Sequence, residues 1–588
     1  MAVTMDMPGY RGKSAWLALA ACVLVPAAVY SGVLKAPFVF DDSGYVVFNP
    51  DIRSLDPSRL LYRADHVPPN RNNPTRPLTS LSFALNYRAN GLAPAGYHAV
   101  NLALHVSVVI AAFLLAGKLL RHACGCGGVL LPLYAALLFA VHPVNAEVAA
   151  YVSHRSESLA AFFYLLSLLL FARYREREGS SPVPSLFCFA LALCAKETAV
   201  TLPAVLLLAD RMFLNGTDAS RPPSRKPVHP YFWALLAAYV LFRTWFFRHL
   251  GDVSGVTDQV WTHASYFRTQ ITVVTRYLGL LLFPVGQTVD HAVRPVGSWL
   301  SPSVWLSLPA WAALAGALAL AGRGSRPRGK LLLFSAGWFL ITLSPTSSFM
   351  PILDAMAERR LYLPFFGFSL ASATVLAIVL KAGPDGDAGK SARRRFALAA
   401  ALHLLALCTA ARLRADKFAD PAALWKEAIA AYPGNYRAYN NLGKVYSDMK
   451  EYDLALPYFR KALEIAPDYY LAYKNLGDLY YFRNDHAAAE TYYRKSIELN
   501  PENYQAYNNL AMMLINVHGR FAEAAGLLEK AAEIAPLDTS VYGNLGAAYY
   551  NLGEMEKAEA AFSRSLGIDP RQPEAAAALE QVRSRLRR

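Results

Sequence analysis

The chain has 588 residues, of which 54% are hydrophobic and 17% charged, and a net charge of +15. Apolarity on this scale excludes an ordinary soluble protein, and the length suits more than one domain. Nucleic acid is not an expected partner, because much of the basic excess lies in short loops between apolar runs rather than in a stripe with interleaved aromatics.

A segment of about 20 mainly apolar residues crosses a bilayer, and fewer suffice inside a bundle. On that measure spans are expected near 14–34, 98–119, 129–142, 156–173, 184–195, 198–213, 230–248, 299–321, 331–345, 361–381 and 396–413, eleven in all. The first follows Arg11 and Lys13 without a small-residue cleavage site, and is read as a retained anchor. Segments 184–195 and 198–213 are parted only by Lys196 and Glu197. The stretch 266–284 carries Arg276 midway and is read as an interfacial or re-entrant helix. Cys124 and Cys126 are read as free thiols, since two ligands alone do not make a metal site.

With the N-terminus in the cytoplasm, the basic loops fall on one side. They are Lys118/Arg121, Arg173/Arg175/Arg177, Arg221/Arg225/Lys226, Arg323/Arg326/Arg328/Lys330 and Lys390/Arg393/Arg394/Arg395. The opposite face collects Asp41, Asp42, Arg76, His142, Glu147, His154, Arg155, Glu157, Lys196, Glu197, Asp290, His291, Asp354, Glu358 and Arg359. Charges near membrane depth are costly, so they mark a site or satisfy one another. For any single residue the ion pair is the simpler reading; for the whole constellation a shared site is the better one. His142-Pro143 also has the form of a plain helix terminus.

Composition shifts near 412–420, dividing the chain into 1–413 and 414–588. Beyond the shift Leu442, Leu476, Leu510 and Leu545 recur every 34 or 35 residues, each preceded by Asn. Ala455/Phe459, Ala489/Tyr493, Ala524/Leu528 and Ala558/Phe562 follow in step, and Pro467, Pro501, Pro536 and Pro570 close the units. This pattern resembles the tetratricopeptide repeat, four full units forming an α-solenoid with a concave groove. An incomplete unit at 420–433 precedes them and 573–587 supplies a polar cap. Asn441, Asn475, Asn509 and Asn544 recur at one position per repeat, where a carboxamide suits an extended acceptor peptide or simply orders the packing.

Asp41-Asp42 just beyond the first span, on a chain of about eleven spans, resembles the GT-C glycosyltransferases that use polyprenyl-phosphate sugars. The segments Arg76-Pro77-Leu78-Thr79, His142-Pro143-Val144-Asn145-Ala146-Glu147, Ser153-His154-Arg155-Ser156-Glu157, Cys194-Ala195-Lys196-Glu197 and Ala357-Glu358-Arg359-Arg360-Leu361-Tyr362-Leu363-Pro364 narrow the match. With the trailing repeats they resemble the transmembrane-and-tetratricopeptide-repeat protein O-mannosyltransferases and their bacterial relatives.

That resemblance implies an all-α membrane bundle followed by a solenoid, moving a hexose (mannose first) from a lipid phosphate to a Ser or Thr hydroxyl with inversion. Asp41 is then the base and Asp42 its orienting partner. Arg359 and Lys196 are the candidates for the leaving phosphate. His142, Glu147, Arg155, Glu197 and Glu358 support them. No cofactor is expected, and two adjacent carboxylates alone do not favour a divalent cation. The partners expected are a lipid-linked sugar and a protein or peptide acceptor in the repeat groove. The catalytic face would be periplasmic, or lumenal in a eukaryote. A polysaccharide ligase or polymerase with the same donor, and a membrane-anchored repeat scaffold, are the competing readings.

Overall fold

The computed structural model describes residues 13–62, 73–125, 128–177, 179–214, 228–247, 261–323, 327–352, 354–382 and 390–588. Arg11, Cys126, Arg221, Arg225, Lys226 and Arg326 lie outside them. Every regular element among the described residues is helical. The chain divides into two compact units. The first takes the described residues through Val289 together with Val293–Asp420, and the second takes Asp290–Ala292 and Pro421–Arg588.

The first unit contains α1 (Lys13–Tyr30), α2 (Pro77–Asn90), α3 (Pro94–Cys124), α4 (Leu130–Val141), α5 (Ala146–Ala150), α6 (Arg155–Glu176) and α7 (Val183–Ala195). It continues with α8 (Leu202–Ala209), α9 (His229–Phe246), α10 (His263–Leu282), α11 (Pro302–Gly322), α12 (Pro327–Leu343), α13 (Phe365–Val379) and α14 (Lys390–Asp416). Each of the eleven apolar segments contains a helix. Among the described residues five are long and apolar enough to cross a membrane: Lys13–Lys35, Pro94–Cys124, Val152–Glu176, Pro302–Gly322 and Lys390–Ala419. A sixth arises if α4 and Pro143–Ala150, bent by 53° at their junction, count as one span. The protein is thus a multi-pass membrane protein by length and composition.

Helix α3 is central, packing against α1, α4, α6 and α12. Large apolar side chains on the outer helices are exposed, among them Trp16, Leu24, Trp245, Leu306 and Leu405, as a hydrocarbon surround requires. Helix α10 is the segment read as interfacial, and Tyr266, Gln270, Val273 and Tyr277 form its buried face. Its N-terminus closes with a reciprocal capping box between Thr262 and Ser265.

The second unit opens with α15 (Pro421–Ala431) and then repeats helix pairs. These are α16 (Tyr436–Asp448) with α17 (Tyr452–Ile465), α18 (Tyr470–Phe482) with α19 (His486–Leu499), α20 (Tyr504–Met513) with α21 (Phe521–Ile534), and α22 (Thr539–Leu552) with α23 (Met555–Ile568). Helix α24 (Pro573–Leu586) packs on α23 and ends the stack. The glycines of the repeat explain the close approach within each pair. A methyl group on Gly477 would lie 2.6 Å from the Tyr493 ring, and one on Gly443 or Gly546 would lie 2.8 Å from Phe459 or Phe562. In the third pair Ala511 and Leu528 are both fully buried, so a slightly larger residue stands where no ring opposes it. Gly477→Ala should therefore destabilise the repeats by about 1–3 kcal/mol through overpacking. Faster proteolysis within the repeats at a fixed protease dose would report it, and an unchanged cleavage rate would show that the Tyr493 ring moves aside freely.

Candidate functional site

The turn after α1 is built by its own acidic pair. Asp42 is fully buried. Its Oδ2 accepts the Val39 N–H at 3.1 Å, and its Oδ1 accepts the Ser153 N–H at 2.8 Å and also the Ser153 hydroxyl. Burial outweighs those donors and raises the Asp42 carboxyl to about 7. Between the two anchor points Phe40 sits at φ +48°, a left-handed conformation that costs a non-glycine residue energy. The result is that Asp41 is an exposed residue while Asp42 is buried. The Asp41 N–H donates to the Tyr151 hydroxyl at 2.9 Å. Protein crowding the other sides of Asp41 displaces water and raises its carboxyl pKa, although the Arg359 charge and a Tyr151 hydrogen bond pull the other way.

Arg359 stands on a short helical turn, Glu358–Leu361, that α10 holds in place. Tyr277 Oη donates to the Ala357 carbonyl at 3.0 Å and accepts its N–H at 2.9 Å. Glu358 points the other way, buried, with Oε2 accepting Gln287 Nε2 and Oε1 accepting the Thr288 N–H, both at 2.8 Å. It locks the loop after α10. Arg359 itself meets Glu147 Oε1 and Asp354 Oδ2 at 3.7 Å each, ion-pair contacts beyond hydrogen-bonding range. Burial would lower its pKa, but Glu147, Asp354, Glu157 and Asp41 outweigh burial and raise it. Glu147 and Asp354 are in ion-pair contact with this guanidinium, and Glu157 and Asp41 are near enough to act on its charge.

A second charged group adjoins the first. Lys196 Nζ is hydrogen-bonded to Glu157 Oε1. Arg76 grips Glu197 with two hydrogen bonds, Nε to Oε2 at 3.1 Å and Nη2 to Oε1 at 2.7 Å. Burial raises Glu197, yet Arg76 and Lys196 win and hold it below the usual carboxylate range. Burial lowers Lys196 despite Glu157. His154 Nδ1 lies 3.3 Å from Glu147 Oε1. Asp41, Glu147, Lys196, Glu197 and Arg359, residues far apart in sequence, therefore gather with Arg76, His154, Glu157 and Asp354.

Other residues expected at the site are placed around it rather than in it. His142 closes α4 and caps the turn after it, its Nδ1 accepting the Val144 N–H at 3.3 Å while Nε2 meets the Leu281 carbonyl at 3.2 Å. This is the helix-terminus role. Arg155 is wholly buried at the start of α6 and cannot touch a substrate from there. Its Nε donates to Asn101 Oδ1 at 2.7 Å and its Nη2 to Asn86 Oδ1 at 2.8 Å, with the carbonyls of Tyr97 and Ser82 at 3.1 and 3.2 Å. Asp290 and His291, expected among the outer-face charges of the membrane part, cluster instead with the repeat unit, where Arg437 Nη2 meets Asp290 Oδ1 at 2.5 Å.

Three tetratricopeptide-repeat models match the chain, over residues 435–502, 474–539 and 518–582. The protein O-mannosyl-transferase Tmtc1 of Drosophila melanogaster is 35% identical over 208 residues, 34% of this chain and 24% of that protein. TMTC4 of Mus musculus is 28% identical over 480 residues, 72% of this chain and 63% of that protein. TMTC3 of Homo sapiens is 25% identical over 482 residues, 74% and 50% respectively. The chain is similar over most of its length to these protein O-mannosyl-transferases. It spans between 24% and 63% of their length. Among solved structures, the repeat protein YrrB overlays with a TM-score of 0.26 at 22% identity, covering 28% of this chain and 85% of that one.

The repeat asparagines partly bond one another. Asn475 Nδ2 donates to Asn440 Oδ1 at 2.8 Å, Asn509 Nδ2 to Asp478 Oδ1 at 2.8 Å and Asn544 Nδ2 to Asn508 Oδ1 at 2.9 Å. Asn441 Oδ1 accepts Asn440 Nδ2 at 3.2 Å. The amide donors of Asn475, Asn509 and Asn544 thus tie successive repeats together. Tyr151 is the residue at the charged site that sequence reasoning passed over. An aromatic between two apolar stretches reads as core, and its hydroxyl finds Asp41 110 positions away.

Proposed function

We propose that the chain is a glycosyltransferase that moves mannose from a polyprenyl-phosphate donor to a Ser or Thr hydroxyl of a protein. The observation that carries this reading is an outward carboxylate, Asp41, sharing one charge cluster with Arg359, whose donors have no tight partner among the described residues. Its homology to protein O-mannosyl-transferases supports the same chemistry.

In the reaction Asp41 accepts the proton of the acceptor hydroxyl as that oxygen attacks the anomeric carbon. The bond from that carbon to the phosphate oxygen breaks on the opposite face, inverting the centre, and the lipid phosphate leaves with the electron pair. Arg359 takes the charge on the leaving phosphate in bidentate fashion, exchanging its two long carboxylate contacts for shorter ones. Lys196 is a second cation for that phosphate once it is released from Glu157. Asp42 holds the turn, and Glu147, Glu197 and Glu358 set the positions of the cations and loops.

The shorter helices α4, α7, α8, α9, α12 and α13 complete eleven spans inside the bundle. An N-terminus in the cytoplasm then puts the charge cluster and the repeats on the non-cytoplasmic side, periplasmic in a bacterium. Residues 1–413 carry the transfer chemistry and 414–588 bind the acceptor protein, through the groove bearing Asn441, Asn475, Asn509 and Asn544.

The test is turnover of polyprenyl-phosphate-mannose by the purified protein in detergent, with a Ser/Thr-containing peptide as acceptor. Mannosyl peptide is the expected product. No turnover with this donor, or with a small panel of other lipid-linked sugars, would move the assignment to the scaffold. Arg359→Ala should lower kcat/KM for the donor about 10²–10³-fold, as loss of one charge-stabilising donor does. A wild-type kcat/KM in that variant would free Arg359 from the phosphate.

A further inference from the structure

The hydroxyl of Tyr151 lies against Asp41. Its oxygen accepts the Asp41 N–H at 2.9 Å, and the phenol is near enough to the Asp41 carboxyl to favour its ionised form. The ring is buried and fixed from three sides. Phe40 meets it edge-on at 6.1 Å, His154 edge-on at 4.3 Å, and Phe418 packs at 6.3 Å. The backbone beneath is fixed as well. The Tyr151 N–H donates to the Glu147 carbonyl at 2.9 Å, and the Tyr151 carbonyl accepts Asn101 Nδ2 at 3.1 Å. Asn101 Oδ1 is in turn held by Arg155 Nε at 2.7 Å.

A chain of contacts thus runs from the interior, through Arg155, Asn101 and Tyr151, to the Asp41 backbone. The other constraint on Asp41 is the turn itself, and that turn contains Phe40 at φ +48°. A left-handed non-glycine residue persists when its surroundings over-determine it, and strain of this kind gathers at functional sites. Here the Asp41 amide, immediately after Phe40, is pinned by the Tyr151 oxygen. Removing that oxygen frees the amide and lets the turn relax toward ordinary backbone.

We propose that Tyr151 is a positioning residue for the transfer reaction, a buried phenol that fixes the direction of Asp41 toward the acceptor hydroxyl. The proposal rests on Asp41 being the base. Tyr151 does not itself touch the reacting atoms. It acts on Asp41 twice, through the amide to set direction and through the carboxylate to favour its ionised form. The groups that face Asp41 are Arg359 from the Glu358–Leu361 turn, Asp354 from the loop before it, Asp42 from its own turn and Tyr151. Arg359 and Tyr151 favour the ionised carboxylate, while Asp354 opposes it.

The test is Tyr151→Phe, which keeps the ring contacts with Phe40, His154 and Phe418 and deletes the hydroxyl alone. The expected kcat is about 10–100-fold lower, the size of effect a slightly misplaced catalytic group produces. The donor KM is expected to stay within about twofold, since no donor contact is lost. The acidic limb of the kcat–pH profile should move to higher pH, because the carboxylate has lost a neighbouring hydroxyl that favours its charged form. A merely structural phenol would lower folded yield and leave the limb in place, and that outcome overturns the proposal. So does a raised KM with unchanged kcat. If Asp41→Asn is inactive while Tyr151→Phe keeps the wild-type kcat and limb, the Tyr151 assignment alone falls. If Asp41→Asn retains full activity, the reading of Asp41 as the base has failed first.

Discussion

Replacing Asp41 with Asn should abolish mannose transfer while leaving the protein folded and inserted. The carboxamide has the shape of the carboxylate and keeps the backbone N–H that bonds Tyr151. What it lacks is a site for the acceptor's proton. General-base catalysis contributes about 10²–10⁴-fold, so residual transfer would fall below most assays of a slow membrane enzyme. Asp41 is exposed and its backbone contact with Tyr151 survives the change, whereas the Asp42 carboxylate itself holds the turn. Asp42→Asn would put a carboxamide among the donors of Val39 and Ser153, at atoms placed 2.8 to 3.1 Å apart for a carboxylate. That variant should lose folded protein as well as rate. Comparing the two by transfer rate and by monodispersity in detergent separates the carboxylate that reacts from the one that builds. Full activity of Asp41→Asn would remove the assignment outright.

The division between what was legible in the sequence and what was not follows the reach of each interaction. The apolar segments were legible because a membrane helix satisfies its own backbone locally, so composition over one stretch decides it. The repeats were legible for a similar reason: each unit needs the same small residue opposite the same ring, and Gly443 with Phe459 and Gly477 with Tyr493 show the contact. Helix α2 escaped notice because Pro77–Asn90 is neither long nor strongly apolar, and packing against α3 and α7 holds it. The charge cluster was legible only as a set of residues on one face. Which cation would be committed depended on pairs such as Lys196 with Glu157, 39 positions apart, and Arg76 with Glu197, 121 positions apart. Two acidic neighbours also read alike, yet one turn sends Asp42 inward and Asp41 outward, and that depends on Ser153 and Tyr151 at the start of another helix.

Arg155 shows the same limit most sharply, and it carries the second large effect. A cation at the start of a span reads as an interfacial ion-pair partner or as support for the site. In the fold it is sealed between α2, α3 and α6, with its guanidinium over the Phe83 ring at 4.5 Å. None of its four hydrogen-bond acceptors is a carboxylate: two are asparagine carboxamides and two are helix carbonyls. Arg155→Met fills much of the volume but leaves Asn101 Oδ1 and Asn86 Oδ1 dry and without their donor. Each buried acceptor left without its donor costs about 1–3 kcal/mol, and two or more such losses are a large share of the 5–15 kcal/mol by which a domain is typically stable. The loss also reaches the proposed site, since Asn101 holds the Tyr151 carbonyl and Tyr151 holds Asp41. We therefore expect little monodisperse protein from Arg155→Met and a lowered thermal midpoint in what remains. Arg155→Lys should fall between, because one ammonium cannot span acceptors on both α2 and α3. A variant with a normal midpoint and a selective loss of donor binding would mean that Arg155 meets the lipid phosphate after all, and that α2 opens to let it in.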